Sequence, residues 1–137
     1  MIQEASATRE RRIMEEFFEH LKKDDGLSVY GLEEVKQALD YGAIKILLIS
    51  EEYDWIRAKL NCQCGYKTET DMKPNSTEKC PKCGSEMKIE SQEDLIDVLS
   101  DQAKKLGSEV EIISVDTREG AQFKELGGIG AILRFKI

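Results

Sequence analysis

The stretch LSVYGLEEVKQALDYGAIKILLISEE, Leu27–Glu52, decides the fold. Val29 and Tyr30 read as a short strand, and Gly31 opens a helix. Leu32, Val35 and Leu39 recur at helical spacing and are expected to face inward. Gly42 ends that helix. Ile44–Ser50, IKILLIS, is then a short apolar, β-branched run typical of a strand covered on both faces. Strand, helix and buried strand in so short a span predict a layered α/β domain.

The same alternation continues outward. Upstream, Ile13, Phe17 and Leu21 step by four with Met14 and Phe18 beside them, giving a helix with one apolar face. Lys22 and Lys23 suit its last turn, and Gly26 is placed to terminate it. Downstream, Ser91 and Asp94 fit a capping box that opens a helix through Leu106, closed by Gly107. Ile96, Leu99, Ala103 and Leu106 would line its inner face. VEIISV reads as a buried strand, TREGAQFKEL as a short helix stopped by Gly127 and Gly128, and IGAILRFKI as the last strand. With residues 53–90 set aside, helix and strand alternate throughout. That order predicts an α/β/α sandwich around a mixed central sheet.

Residues 53–90 break the pattern and hold all four cysteines: Cys62, Cys64, Cys80 and Cys83. WIRAKL (Trp55–Leu60) leads into the first pair and MKIE (Met87–Glu90) leads out of the second, forming the stem of an inserted β-hairpin. Residues 61–90 carry five basic and five acidic side chains, so the insert is electrically neutral and too small to bury a core of its own. Two short cysteine turns facing each other supply the four soft, tetrahedral ligands that zinc prefers, and metal binding would replace the missing core. In the second turn, CPKCG, Pro81 stiffens the loop and Gly84 tolerates the bend that aims amides at sulfur. The first turn, CQCG, has one residue between its ligands rather than the usual two, so a tighter knuckle is expected. Four cysteines leave no open coordination position for water. The expected zinc is therefore structural, and a free-standing metalloenzyme is disfavoured.

Composition narrows the class. The chain has 137 residues, a net charge of −7 and 40% hydrophobic residues, enough for one modest core. No run approaches the ~20 apolar residues of a membrane helix, and the opening MIQEASATRERR is a polar lead into the first helix, not a signal peptide. A cytoplasmic protein is expected, and in that compartment paired cysteines are metal ligands more often than disulfides. The absence of a basic cluster argues against a generic grip on nucleic acid. His20 stands alone on a helix surface with no motif around it. Gly127–Gly130, GGIG, lies between helix and strand, the reverse of a phosphate loop. Thr117, Arg118 and Glu119 read as a helix cap rather than a catalytic set.

GLEEVKQALDYGAIKILLISEE, taken with EGAQFKELGGIGAILRF near the end, closely resembles the C-terminal domain of archaeal and eukaryotic peptide chain release factor subunit 1. The resemblance runs from about Ile13 to Phe135, with the four-cysteine ribbon inserted as in archaeal members; the surveillance factor Pelota has a similar terminal domain. It implies a fold shared with the kink-turn-binding ribosomal proteins. It also implies one domain of a larger translation termination factor, spanning 1–137 here with the zinc ribbon at 53–90. The family's peptidyl-tRNA hydrolysis depends on a Gly-Gly-Gln motif in another domain, and this chain contains none, so no enzymatic activity is expected of it. The implied partners are a translational GTPase and the ATP-binding cassette protein that recycles ribosomes. The resemblance marks Ile132, Leu133, Arg134 and Phe135 as the partner-linked segment. Strand alternation would put Leu133 and Phe135 on one face and Ile132 and Arg134 on the other, with Arg134 reaching an internal carboxylate or a partner. Kink-turn binders open the corresponding helix with Gly-x-Asn-Glu, where this chain has Gly31-Leu32-Glu33-Glu34. Carboxylate in place of amide removes a donor for base edges, so direct RNA recognition is not expected.

Overall fold

The apolar run Ile44–Ser50 forms β2, and every residue of it except Lys45 is buried. A computed structural model describes residues 2–137, with side chains from Arg9 onward. Met1, the first residue of the polar opening segment, lies outside the described residues. The chain divides into two compact units. One comprises Met1–Tyr53 with Ser100–Ile137, and the other Asp54–Leu99.

In the first unit β2 sits inside a four-stranded sheet of order β1-β7-β2-β6. β1 (Ser28–Tyr30) and β7 (Ile129–Leu133) are antiparallel, β7 and β2 are antiparallel, and β2 runs parallel to β6 (Glu109–Ile113). The sheet is mixed, as its element order predicted. α1 (Ile2–Lys23) and α4 (Arg118–Glu125) pack together on one face. Ile13, Met14 and Phe17 of α1 and Phe123 of α4 meet Ile46, Leu48, Ile113 and Ile132 there. The Phe17 and Phe123 rings lie edge to face, 5.5 Å between centroids. α2 (Leu32–Asp40) packs against β7 and β1, burying Val35, Ala38 and Leu39. It starts from Gly31, whose φ of 93° lies in the left-handed region.

Several boundaries differ from the sequence reading. α1 stops at Lys23, and it is Asp24, not Gly26, that first takes a left-handed turn (φ 54°), its amide bonded to the His20 carbonyl at 3.0 Å. Aspartate tolerates this conformation better than most residues. His20 itself is engaged, with Nδ1 2.7 Å from the Asp25 carboxylate, and that contact holds the Asp25 pKa below its usual value. β6 is an edge strand rather than a buried one, and Ile112 remains 44% exposed. α4 is capped as expected, with Thr117 Oγ1 accepting from the Gly120 amide at 2.9 Å.

The second unit is a three-stranded sheet of order β4-β3-β5, not a two-stranded hairpin. β3 (Ile56–Asn61) is central, flanked by β4 (Lys67–Met72) and β5 (Lys88–Asp94), both antiparallel to it. Ile56, Ala58, Leu60 and Met72 bury one face with Met87 against them, and Trp55 is half-buried. On the other face Arg57 forms a bidentate pair with Asp71 (2.9 and 3.3 Å). Ser91–Asp94 belongs to β5, not to a helix cap, because Ser91 and Asp94 still pair with Lys59 and Ile56. α3 accordingly starts at Leu95 and ends at Lys105. Leu95, Leu99 and Ala103 are its buried residues, whereas Leu106 is 42% exposed. Glu90, opposite a register shift in β3, is an extra residue in the exposed edge strand β5, a bulge that blunts the edge against further pairing.

Candidate metal centre

The two cysteine turns grow out of the sheet of the second unit. Cys62 directly follows β3, and its amide donates to the Tyr66 carbonyl at 2.9 Å. Gly65 folds back, its amide 2.9 Å from the Cys62 carbonyl, with φ 95°. This is the tight turn expected from a single intervening residue. The second turn is held by the Cys80 amide on the Ser85 carbonyl and the Gly84 amide on the Cys80 carbonyl, both at 2.8 Å. The Lys82 amide points at Cys80 Sγ from 3.4 Å. Lys79 and Glu86 bridge the base of this turn, and the Met87 amide reaches the Glu78 carbonyl at 2.9 Å.

These turns bring all four sulfurs within 4.8 Å of one another. Cys62 Sγ lies 3.3 Å from Cys83 Sγ, and Cys64 Sγ lies 3.7 Å from Cys80 Sγ. A tetrahedral ion with metal–sulfur bonds of ~2.3 Å would need sulfurs about 3.8 Å apart, so the cluster fits a zinc-sized tetrahedron. Burial is split within each turn: Cys62 and Cys80 are buried, Cys64 and Cys83 exposed.

Electrostatics divides the thiols too. At Cys83 the Ser85 amide, the Cys62 side chain and the Ser85 hydroxyl bring the pKa down to about 6. At Cys80 burial opposes ionisation, but the Cys83 and Lys82 amides and the Cys64 side chain outweigh it, and the pKa falls. At Cys62 the Cys64 amide favours the thiolate, yet the Cys83 sulfur, burial and the other two cysteines together push the pKa up to about 12. The amides thus prepare the second turn to present thiolates, and a bound cation would supply the charge that lets Cys62 follow. The residues present can hold a metal ion closed within four sulfurs.

The segment Ile132–Phe135 behaves differently from its strand-like reading. β7 ends at Leu133, with Ile132 and Leu133 buried and Arg134 and Phe135 exposed. Among the described residues the Arg134 guanidinium meets no carboxylate and bonds to main-chain oxygens instead. Nε donates to the Ile44 carbonyl at 2.9 Å, and Nη2 donates to the Leu106 carbonyl at 3.2 Å and approaches Ser108 Oγ at 3.5 Å. Ser108, itself buried, donates to the same Ile44 carbonyl at 2.7 Å. Neither strand alternation nor charge pairing signals an arginine that donates to main-chain oxygens. Glu33 and Glu34 lie exposed on the first turn of α2, and the Gly127–Gly128 turn joins α4 to β7.

A four-stranded mixed sheet packed with helices, with a four-cysteine β unit inserted after its second strand, is an architecture this chain shares at the level of fold with the C-terminal domain of a peptide chain release factor. A family model described as eRF1 domain 3 matches residues 7–137, and the chain belongs to that family. It is 45% identical over 146 residues to peptide chain release factor subunit 1 of Thermococcus onnurineus, a match covering all of this chain and 35% of the relative. The chain therefore spans about a third of the length of that curated relative. Among solved structures it resembles the C-terminal domain of the peptide chain release factor from Methanosarcina mazei. The TM-score is 0.82 at 31% identity, over 98% of this chain and 86% of that one. Saccharomyces cerevisiae Dom34, a translation termination-like factor interacting with Hbs1, shares the fold with a TM-score of 0.64 at 24% identity, over 95% of this chain and 28% of Dom34. Among the described residues no helix is long and apolar enough to cross a membrane.

Proposed function

We propose that this chain is the partner-docking C-terminal domain of a class 1 translation termination factor, acting in the cytoplasm to recruit other proteins and not as a catalyst. The observation that carries the reading is the eRF1 domain 3 match across residues 7–137 together with 45% identity to a release factor along the whole chain. That identity favours a release factor over a Pelota-like surveillance factor. In this reading Cys62, Cys64, Cys80 and Cys83 hold one structural zinc ion. Residues 53–90 are an inserted ribbon, and the surrounding sandwich does the docking. Dom34, which shares the fold, is described as interacting with Hbs1, and partner recruitment by this domain extends that behaviour to the present chain. The partners are a translational GTPase and the ATP-binding cassette protein of ribosome recycling.

Within the segment Ile132–Phe135, burial leaves Ile132 and Leu133 to the core, so contact with a partner falls to Phe135 (49% exposed) and the outer surface of Arg134. The test is calorimetric titration of the chain with the archaeal elongation-type GTPase. Phe135→Ala is expected to weaken binding about tenfold with no change in thermal unfolding. No measurable binding by the wild-type chain would refute the docking role. Unchanged affinity of Phe135→Ala would move the interface off this segment.

A further inference from the structure

The split of the four cysteines between buried and exposed positions has a chemical consequence that a purely structural metal site does not require. The sulfur of each exposed cysteine lies against that of a buried cysteine from the opposite turn. Cys83 is next to Cys62 at 3.3 Å, and Cys64 is next to Cys80 at 3.7 Å. An exposed thiolate with a second thiol already in van der Waals contact is the arrangement in which a sulfur oxidised by solvent is captured at once as a disulfide. The pairing runs between turns. Within the first turn a single residue separates Cys62 from Cys64, a spacing that strains a disulfide ring. The backbone of each turn is tied down separately, by the Cys62–Tyr66 and Gly65–Cys62 bonds in one and the Cys80–Ser85 and Gly84–Cys80 bonds in the other. A bond from Cys62 to Cys83 would therefore join two turns already held in place at contact distance.

We propose that the four-cysteine centre is a thiol-oxidation site, with Cys83 the sulfur attacked by hydrogen peroxide and Cys62 the resolving thiol. The product is a Cys62–Cys83 disulfide, the metal is expelled, and the second unit stays folded. In the first step the Cys83 thiolate attacks one peroxide oxygen. The S–O bond forms, the O–O bond breaks, and the departing hydroxide takes a proton from solvent to leave as water. Cys83 is then a sulfenic acid, oxidised by two electrons. In the second step the Cys62 thiolate attacks the Cys83 sulfur. The S–S bond forms, the S–O bond breaks, and hydroxide leaves and is protonated to a second water. One peroxide and two protons are consumed per disulfide. The two remaining thiolates, Cys64 and Cys80, are too few to hold the ion, and at 3.7 Å they are placed to form a second cross-turn disulfide with a second peroxide.

The inference rests on the reading of the four sulfurs as one metal centre, so metal content is measured before any oxidant is added. The purified chain is treated with stoichiometric hydrogen peroxide. Metal release is followed with a chromogenic chelator, and disulfides are mapped by non-reducing proteolysis and mass spectrometry. The expected result is one metal ion released per Cys62–Cys83 disulfide formed, restored by thiol reductant, with the β signal of the circular dichroism spectrum retained. A Cys80–Cys83 disulfide within one turn, or release with only sulfinic acid formed, would overturn the proposal. Metal retained under peroxide would overturn it as well. A second measurement uses Cys62→Ser, in which Cys83 is expected to accumulate as a sulfenic acid trapped by dimedone. If that variant fails to fold, the wild-type disulfide map still decides. Absence of metal at the outset would refute the metal reading alone, since the map of the oxidised chain would still test the pairing.

Discussion

Arg134→Ala separates structure from docking at the end of β7. The guanidinium donates to two main-chain carbonyls, Ile44 at 2.9 Å and Leu106 at 3.2 Å, and lies beside Ser108 Oγ. Leu106 follows the last turn of α3, so the cation also sits at the negative end of that helix. A charged hydrogen bond contributes roughly 1.5–3 kcal/mol when shielded, and a cation near a helix C-terminus ~0.3–1 kcal/mol. Arg134 is exposed, so solvent screening reduces these terms, and a total near 2 kcal/mol is expected. For a unit of this size that lowers the thermal midpoint by roughly 10 °C. The loss is measured by urea and thermal unfolding followed by far-ultraviolet circular dichroism. Arg134→Lys should recover part of it, because a single ammonium can reach one carbonyl but not span two. If Arg134→Ala unfolds like the wild type while GTPase affinity falls, the guanidinium serves the partner and the structural account is wrong.

Metal affinity should rise with pH, because thiols give up protons on binding. Cys62 keeps its proton up to about 12 and releases it whenever metal binds below that value. Cys83, at about 6, is already ionised at neutral pH. Competition titrations with a zinc-binding dye should therefore show log affinity against pH steepening by one proton below about pH 6; an unchanged slope there would contradict the divided ionisation. Gly120→Ala should destabilise the first unit strongly, since an added Cβ would lie 1.7 Å from the Ser114 carbonyl oxygen, and denaturant unfolding should show a loss above ~2 kcal/mol. A neutral result would mean the α4 entry turn moves freely.

Where side-chain period and burial coincide, the sequence was a faithful guide. Val29 to Ser50 became β1, α2 and β2 because apolar spacing and two glycines point to the same elements. β4 escaped notice because KTETDM alternates threonine with charge, and only Met72 carries the apolar signal of a buried face. Ser91 and Asp94 have the residue types of a cap, but pairing with β3 outcompetes a local hydrogen bond, and the helix waits until Leu95. Ile112 looks like core from its neighbours, yet it points to the opposite face of β6 from the buried Ile113 and is exposed. Cysteine spacing located the candidate metal centre. Which cysteines are exposed, and which amides point at their sulfurs, depends on the turn geometry of Cys62–Tyr66 and Cys80–Ser85, which spacing does not encode.

The position of β7 bears on how this chain reaches its native state as it emerges from a ribosome. Val29 pairs with Ala131 and Leu47 also pairs with Ala131, so the strand latest in sequence fills the slot between β1 and β2. Until it arrives, those two strands have no common neighbour, and the β7-facing edge of β2 waits unpaired through the synthesis of everything between. The cysteine unit lies under no such delay: β3 meets β4 across a single turn, with Asn61 opposite Lys67, and can close as soon as it is free of the exit tunnel. Nascent chains arrested before Ile129 should therefore carry a finished ribbon and a half-sheet whose β1 and β2 still lack the strand that joins them.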